Sequence, residues 1–220
     1  MNINNKQVAQ NNQIKYIKRI ANIWLGNKTM AKQAKVLNQA DLERVLGFIK
    51  NNKHAQRNRA MLLMTHLAGM RCGEVANLCY KDIVSNDGVI KEEIQLRAEQ
   101  TKGNEGRLVF INARLRGELQ HYIRIYQPKL TESKFFYSQK SAQGFTPNTL
   151  AQHFHYLYKR CGIDGASSHS GRRTFATQLA ERGVGVRTLM GILGHKHITT
   201  TIKYVDGNVN TMKKAVEMVV

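Results

Sequence analysis

Proline and cysteine are scarce in this 220-residue sequence, which contains two prolines and three cysteines. The cysteines, Cys72, Cys79 and Cys161, are odd in number and form no Cys-x-x-Cys pair, which argues against a disulfide framework or a cysteine zinc site. No apolar run approaches the roughly 20 residues of a membrane span. The first residues also lack the apolar stretch of a secretory signal. We therefore predict a cytoplasmic protein with no membrane association.

Acidic residues are also few, since 15 Asp and Glu stand against 34 Lys and Arg, a net charge of +19. Such an excess repels itself in a compact fold, so a polyanionic partner is expected. Nucleic acid is the leading candidate, because each phosphate that Lys or Arg neutralises releases counterions. An anionic membrane surface is the rival, but it would need a basic amphipathic helix, which only the N-terminus offers.

The N-terminal residues 1–37 hold seven Lys or Arg and no Asp or Glu. From residue 14 to residue 25 apolar positions recur at helical spacing, with Lys15, Lys18 and Arg19 on other faces. Two interpretations stay open: an arm that lies on a DNA backbone, or a helix packed on the body with a solvated basic face. We predict a basic N-terminal extension over residues 1–37 and one compact domain over residues 38–220.

The domain is predicted to be mainly α with a small antiparallel three-stranded sheet, an α+β fold. Helical periodicity with caps and glycine stops predicts helices beginning at Asn38 and about Gly73, over 56–67, 115–126, 147–161, 168–183 and 186–193, and after His195. Strand signals predict strands at 82–84, 89–96 and 107–111. Asp87-Gly88 is predicted to form the first turn, and Lys102 is expected near the tip of the second hairpin.

The segment from Ser168 to Val205 concentrates polar residues at turns and helix starts, as functional sites on helical scaffolds do. On a helical wheel Tyr204 lies about 120° from the middle of the apolar face of the last helix, which contains Ile198, Ile202 and Val205. We therefore expect Tyr204 to point sideways, toward whatever the basic surface binds.

Phosphodiester chemistry suits this set of residues. Cleavage without metal needs a nucleophile, cations for the phosphate oxygens and a proton for the leaving alkoxide. Tyrosine can form a covalent phosphotyrosine, arginine binds phosphate through two N–H groups, and lysine can act as a general acid. The sequence contains no cluster of Asp and Glu of the kind that two-metal nucleases need, which favours a metal-free mechanism.

Two segments in the first half of the chain resemble motifs of the tyrosine recombinases, or phage-type integrases. AGMRCGEVANL resembles the first-arginine motif and carries over Arg71, with Glu74 as the acidic residue three positions on. TKGNEGR resembles the hairpin lysine motif and carries over Lys102.

Two more segments complete the resemblance, which covers residues 38–207. HSGRRTFAT resembles the His-x-x-Arg motif and carries over His169 and Arg172. LGHKHITTTIKY resembles the Leu-Gly-His motif, followed nine residues later by the nucleophile, and carries over His195 and Tyr204. Each motif alone is weak, but four in the right order predict the catalytic-domain fold of this family.

The resemblance implies that Tyr204 attacks the scissile phosphate and forms a 3′-phosphotyrosine, while Lys102 protonates the leaving 5′-oxygen and His169 assists proton transfer. Strand exchange then needs no ATP, metal or other cofactor.

The remaining implied roles concern the phosphate and its surroundings. Arg71 and Arg172 would hold the non-bridging oxygens and His195 would hydrogen-bond the phosphate. Glu74 would orient the site without itself contacting the phosphate.

The resemblance also implies partners. These are double-stranded DNA and further copies of the chain, monomeric or dimeric when free and tetrameric on paired DNA sites, with room for accessory DNA-bending proteins. A nucleoid-associated protein of prokaryotic or phage origin is expected. Residues 211–220 would suit docking on a neighbour, and packing on their own domain stays an equal alternative.

Departures from the family pattern leave alternatives open. Gly171 and Arg173 stand where the family has leucine and histidine, and Arg173 is either a further phosphate contact or a solvent-facing charge. The 37 residues before Asn38 are too few for a core-binding domain, so the chain resembles short recombinases that invert fimbrial promoters.

Besides an integrase or invertase, two other functions stay open: a type IB topoisomerase-like nicking-closing enzyme and a catalytically idle DNA-binding protein.

Overall fold

The computed structural model describes residues 33–101, 103–127, 131–138 and 143–205, and these residues are mainly helical. The helices are α1 Gln39–Lys50, α2 Ala55–Leu67, α3 Cys72–Asn77, α4 Tyr80–Ile83, α5 Ala113–Ile123, α6 Pro147–Arg160, α7 Ser170–Glu181, α8 Val186–Leu193 and α9 Ile198–Val205. The described residues from Ala34 onward belong to one compact unit. Of the predicted N-terminal extension, residues 1–32 lie outside the described residues. The predicted docking segment at residues 211–220 lies wholly outside them.

The described part of the chain contains two paired strands, β1 Glu93–Leu96 and β2 Arg107–Phe110, where the sequence predicted three. They are antiparallel, with Glu93 opposite Phe110 and Leu96 opposite Arg107. The prediction of a strand at residues 82–84 is wrong.

The predicted first strand is replaced by the short helix α4. The Asp82 carboxylate accepts the Cys79 backbone N–H at 2.8 Å, and this capping contact stabilises a helical turn in place of an extended chain. Val84 keeps only an isolated bridge to Ile90. The predicted turn at Asp87-Gly88 is confirmed, with Gly88 at φ 80°.

Helix α2 is central to the main hydrophobic core and packs against α1, α5 and α7. Its residues from Ala60 to Met64 are all buried, which confirms the prediction of a helix that is apolar almost all round. A second, smaller apolar cluster contains Ala176, Leu189 and Leu193, contributed by α7 and α8.

Local capping signals place most helix ends correctly. Asn38 accepts the Asp41 N–H at 2.8 Å, and Thr146 with Pro147 begins α6. Gly183, two residues after the end of α7, and Gly194, directly after α8, adopt positive φ values of 83° and 61°. Helix α5 ends at Ile123, three residues before the predicted end at residue 126.

Within the described residues, no helix has the length and apolar character needed to cross a bilayer.

Candidate active site

Arg71 is the N-cap residue of α3 and is held by Glu74 in the first turn of that helix. The Glu74 carboxylate accepts the Arg71 backbone N–H at 2.8 Å and its Nη1 at 2.7 Å. Its other partner is Arg107, the first residue of β2, whose Nη2 donates at 2.7 Å and Nε at 3.2 Å. Glu74 is 1% exposed, so two guanidinium groups enclose one buried carboxylate.

This ion-pair arrangement keeps Glu74 charged. Burial raises the pKa of the Glu74 carboxyl, but hydrogen bonds and positive charge from Arg107, with the Arg71 backbone N–H, lower the pKa below its ordinary value overall. Arg107 Nη1 also donates to the Ile192 carbonyl at 3.0 Å. Arg107 therefore links β2 to Glu74 of α3 and to the end of α8.

Arg172 lies in the first turn of α7 and is 4% exposed. Its Nη1 donates to the Gly69 carbonyl at 2.7 Å, and its Nη2 donates to the Leu193 carbonyl at 2.6 Å. Burial and the nearby charge of Arg71 lower the pKa of Arg172 to about 9. The guanidinium is thus positive at neutral pH and fixed between two backbone segments of the site.

The close approach of α7 to α2 depends on glycine. A Cβ at Gly171 would lie 2.0 Å from Thr65 Oγ1, and a Cβ at Gly69 would lie 2.4 Å from Phe175 Cδ1. Both distances are shorter than any van der Waals contact. Gly171, which departs from the family leucine, therefore permits the helix contact that positions Arg172.

His195 follows Gly194 at the turn after α8. Its Nε2 lies 3.0 Å from Arg172 Nη2, and its Nδ1 lies 2.8 Å from Thr201 Oγ1. Burial, followed by the positive charges of Arg172 and Arg71, lowers the pKa of His195 to about 4. The imidazole is therefore neutral at pH 7 in the DNA-free protein.

Tyr204 is half-buried near the end of α9, and its ring stacks on the His195 ring with centroids 6.1 Å apart. The apolar face predicted for this helix is not its buried face, because Ile198 and Ile202 are 41% and 42% exposed. Thr201 is fully buried instead. Thr201 hydrogen-bonds His195, and Tyr204 packs against the second apolar cluster. These two residues therefore lie on the side of α9 that contacts the rest of the domain.

His169 and Lys102 are the two remaining residues of the predicted site. His169 is exposed at the start of α7, three residues before Arg172. Lys102 lies outside the described residues. The loop residue Glu105 forms an ion pair at 2.5 Å with Lys196, the residue after His195, so the β1–β2 connection reaches the edge of the site.

The side chain of Arg173 is half-buried, and its Nη1 donates to the Ala34 carbonyl at 2.9 Å. Its neighbour Thr174 accepts the Leu37 backbone N–H at 2.8 Å. These contacts attach the segment before α1 to α7. The predicted DNA contacts Lys15, Lys18 and Arg19 lie outside the described residues.

Comparison with known proteins identifies the family of the chain. The sequence model described as the phage integrase family matches residues 35–211. The chain belongs to the phage integrase family. The tyrosine recombinase XerA of Saccharolobus solfataricus is 31% identical over 177 residues, which cover 80% of this chain and 54% of that protein.

Solved structures of integrases and recombinases share the fold. The crystal structure of XerA recombinase superposes with a TM-score of 0.66 at 24% identity, covering 82% of this chain and 63% of that one. The Tn1549 transposon integrase in complex with transposon right end DNA gives a TM-score of 0.67 at 21% identity, covering 87% and 68%. The chain spans about half the length of the curated relatives that it matches.

Sequence reasoning missed two residues of this candidate site. Arg107 ends the TKGNEGR segment, but its partner Glu74 is 33 residues away, so no local pattern connects them. Thr201 lies three residues before Tyr204 and on the same helix face, which is a signal that could have identified it. In the described residues, no group of three or more His, Cys, Asp or Glu is placed to hold a metal ion.

Proposed function

We propose that this protein is a site-specific DNA recombinase, an integrase or invertase, that cleaves and rejoins DNA through a 3′-phosphotyrosine. The observation that carries the proposal is the meeting of Arg71, Arg172, His195 and Tyr204 in one site, connected by the contacts of Arg172 with the Gly69 carbonyl and with His195 and by the stacking of Tyr204 on His195. A protein that only binds DNA has no need of a nucleophile stacked on this cluster.

The reaction exchanges one phosphodiester for another. Tyr204 Oη attacks phosphorus, the P–O5′ bond breaks, and the tyrosyl proton is transferred through the site, with His169 assisting. Lys102 supplies the proton to the leaving 5′-oxygen. A 5′-hydroxyl from another strand then reverses these steps. Because one ester bond replaces another, we infer that neither ATP nor a metal is required.

The arginines stabilise the charge that develops on the non-bridging oxygens. A guanidinium offers five N–H donors, and Arg172 directs three of them at Gly69, Leu193 and His195. We infer that the remaining two donate to a phosphate oxygen. Glu74 holds Arg71 by two contacts on its protein side, which orients this guanidinium before substrate arrives and so limits the reorganisation cost.

Double-stranded DNA is the proposed partner. Its support is the net charge of +19 and the family likeness, which includes an integrase solved with transposon DNA. We further propose that residues 1–37 form a basic extension to the catalytic domain of residues 38–220, with Lys15, Lys18, Arg19 and Arg173 as DNA contacts. A tetramer on paired sites, accessory bending proteins and nucleoid association complete the proposal.

The test is covalent trapping on a nicked suicide substrate that carries the target site, in buffer with EDTA. Wild-type protein should form a protein–DNA adduct resistant to denaturation, and Tyr204→Phe should form none while binding the same DNA. Tyr156→Phe is the matched control, because Tyr156 is exposed on α6, and it should trap DNA normally. Trapping by Tyr204→Phe, or loss of wild-type trapping in EDTA, would contradict the proposal.

A second assay separates strand exchange from simple nicking and closing. Incubation with two target duplexes should yield recombinant strands. If the protein only relaxed supercoiled circles, it would be a type IB topoisomerase-like enzyme.

A further inference from the structure

We propose that Thr201 is a positioning residue that fixes the tautomer of His195 and, through it, the pose of both Arg172 and the nucleophile helix α9. The proposal deepens the proposed function and rests on it for its catalytic consequence. Its structural content, the protonated nitrogen of one histidine, can be measured without any DNA.

The tautomer follows from the neighbours of His195. Arginine nitrogens can only donate hydrogen bonds, so His195 Nε2, at 3.0 Å from Arg172 Nη2, must be the acceptor. A neutral imidazole then carries its proton on Nδ1. That nitrogen is 2.8 Å from Thr201 Oγ1, so Thr201 accepts the hydrogen bond.

Burial makes this hydrogen bond important. Thr201 is fully buried, and a buried N–H or hydroxyl that loses its partner carries an uncompensated desolvation cost. Without the Thr201 oxygen, Nδ1–H would lose this hydrogen-bond partner, and the imidazole would rotate or change tautomer. Either change would remove the acceptor from Arg172.

The same hydrogen bond helps to hold α9. Thr201 and Tyr204 are three residues apart and share one face of the helix, whereas Ile198 and Ile202 are exposed. Among the described residues, His195 therefore receives two contacts from α9: the hydrogen bond of Thr201 and the stacked ring of Tyr204. A shift of His195 would displace the nucleophile together with Arg172.

The arrangement also gives His195 a definite role before substrate binds. While Nε2 accepts from Arg172, it cannot donate to a phosphate oxygen. In this state His195 orients the guanidinium, and Thr201 orients His195.

The direct test is two-bond proton–nitrogen NMR correlation of the histidine side chains in the full-length protein at pH 7. The signal of His195, one of eight histidines, is identified by its absence in His195→Gln. Wild-type protein and Thr201→Ser, which keeps the hydroxyl, should show the Nδ1–H tautomer. Thr201→Val, which matches threonine in shape, and Thr201→Ala should show loss of that pattern.

The matched control is Thr200→Val, because Thr200 is exposed on the same helix; its spectrum should match wild type. An Nε2–H tautomer in the wild-type protein, or an unchanged Nδ1–H pattern in both Thr201→Val and Thr201→Ala, would overturn the proposal.

The activity arm measures single-turnover formation of the covalent adduct. Thr201→Val should slow cleavage by about 10- to 100-fold, the scale of a small misplacement in an active site, with nearly unchanged DNA affinity, and Thr201→Ser should restore most of the rate. Equal rates in Thr201→Val and wild type would overturn the catalytic consequence. If wild type forms no adduct, the proposed function fails, while the NMR result still decides the role of Thr201.

Discussion

The two halves of the site are held in different ways. The arginine half, Arg71, Arg107 and Arg172 with Glu74, is fixed by a buried carboxylate and by hydrogen bonds to backbone carbonyls. The nucleophile half, α8 and α9 with His195 and Tyr204, packs on a small apolar cluster, and α9 leaves two isoleucines exposed.

The difference indicates a division of labour. Charges that stabilise a transition state act best when they are already oriented, because reorganisation during the reaction would raise the barrier. In the proposed function α9 carries the nucleophile, and lower local stability would let this helix adjust to the DNA and later release it. Elements with few buried contacts are the ones that open most readily.

The largest loss of stability should come from removing the positive charge of Arg107, which pairs with Glu74 from β2. Arg107→Met leaves the Glu74 carboxylate buried with Arg71 as its remaining ion-pair partner. We expect the free energy of unfolding, measured with urea at pH 7, to fall by about 3 kcal/mol, and covalent trapping of DNA to be largely lost.

Lys196→Met is the control in the nucleophile half. It breaks an ion pair with Glu105 in which both side chains are more than half exposed, so the change should stay below about 1 kcal/mol. Equal losses from the two variants would abolish the distinction between the halves.

One glycine in each half of the site allows a matched pair of substitutions. Gly171→Ala in α7 would place a methyl group against Thr65, whereas Gly191→Ala in α8 meets nothing within 4 Å. Gly171→Ala should lower the free energy of unfolding by about 2 kcal/mol through overpacking, and Gly191→Ala should raise it by about 0.5 kcal/mol through helix propensity. Thermal and urea unfolding of both variants measure this, and a shared sign would contradict the account.

A further prediction concerns the dependence of stability on pH. His66 lies on α2, next to Gly171 of α7. Burial lowers the pKa of His66 from 6.5 to about 4. The unfolded chain therefore binds the proton first, so this contribution to stability is lost as pH falls from 6.5 toward 4. Between pH 7 and pH 5.5 the loss should be about 1 kcal/mol.

Urea unfolding of His66→Gln at both pH values measures that contribution. The variant should lose less stability on acidification than wild type, and the exposed His155→Gln should behave like wild type. An unchanged pH dependence in His66→Gln would show that His66 does not contribute in this way.

The features that sequence predicted well are local ones. Asn38, Thr146 and Gly194 cap helices through contacts within a few residues, and their patterns are visible in the chain. The catalytic positions followed from the resemblance of four short motifs. Family membership is shown by the comparison, while the roles of the individual residues stay predictions.

The errors come from contacts that no local pattern encodes. Hydropathy groups Ile198 and Ile202 on one apolar face, but both side chains are exposed, and α9 instead buries Thr201, which hydrogen-bonds His195. The predicted strand at residues 82–84 was replaced by a helical turn, because Asp82 caps it.

Mapping of the covalent adduct shows which residue forms the bond to DNA. Trypsin should release the DNA-linked protein segment ending at Lys213, which begins at Tyr204 or, if cleavage after Lys203 is blocked, at His197; in either case Tyr204 is its only tyrosine. Mass spectrometry of the nuclease-trimmed adduct should find the phosphate on that peptide. A nucleotide on any other peptide, or a 5′-phosphate link in place of a 3′-phosphate link, would contradict the assignment of Tyr204 as the nucleophile.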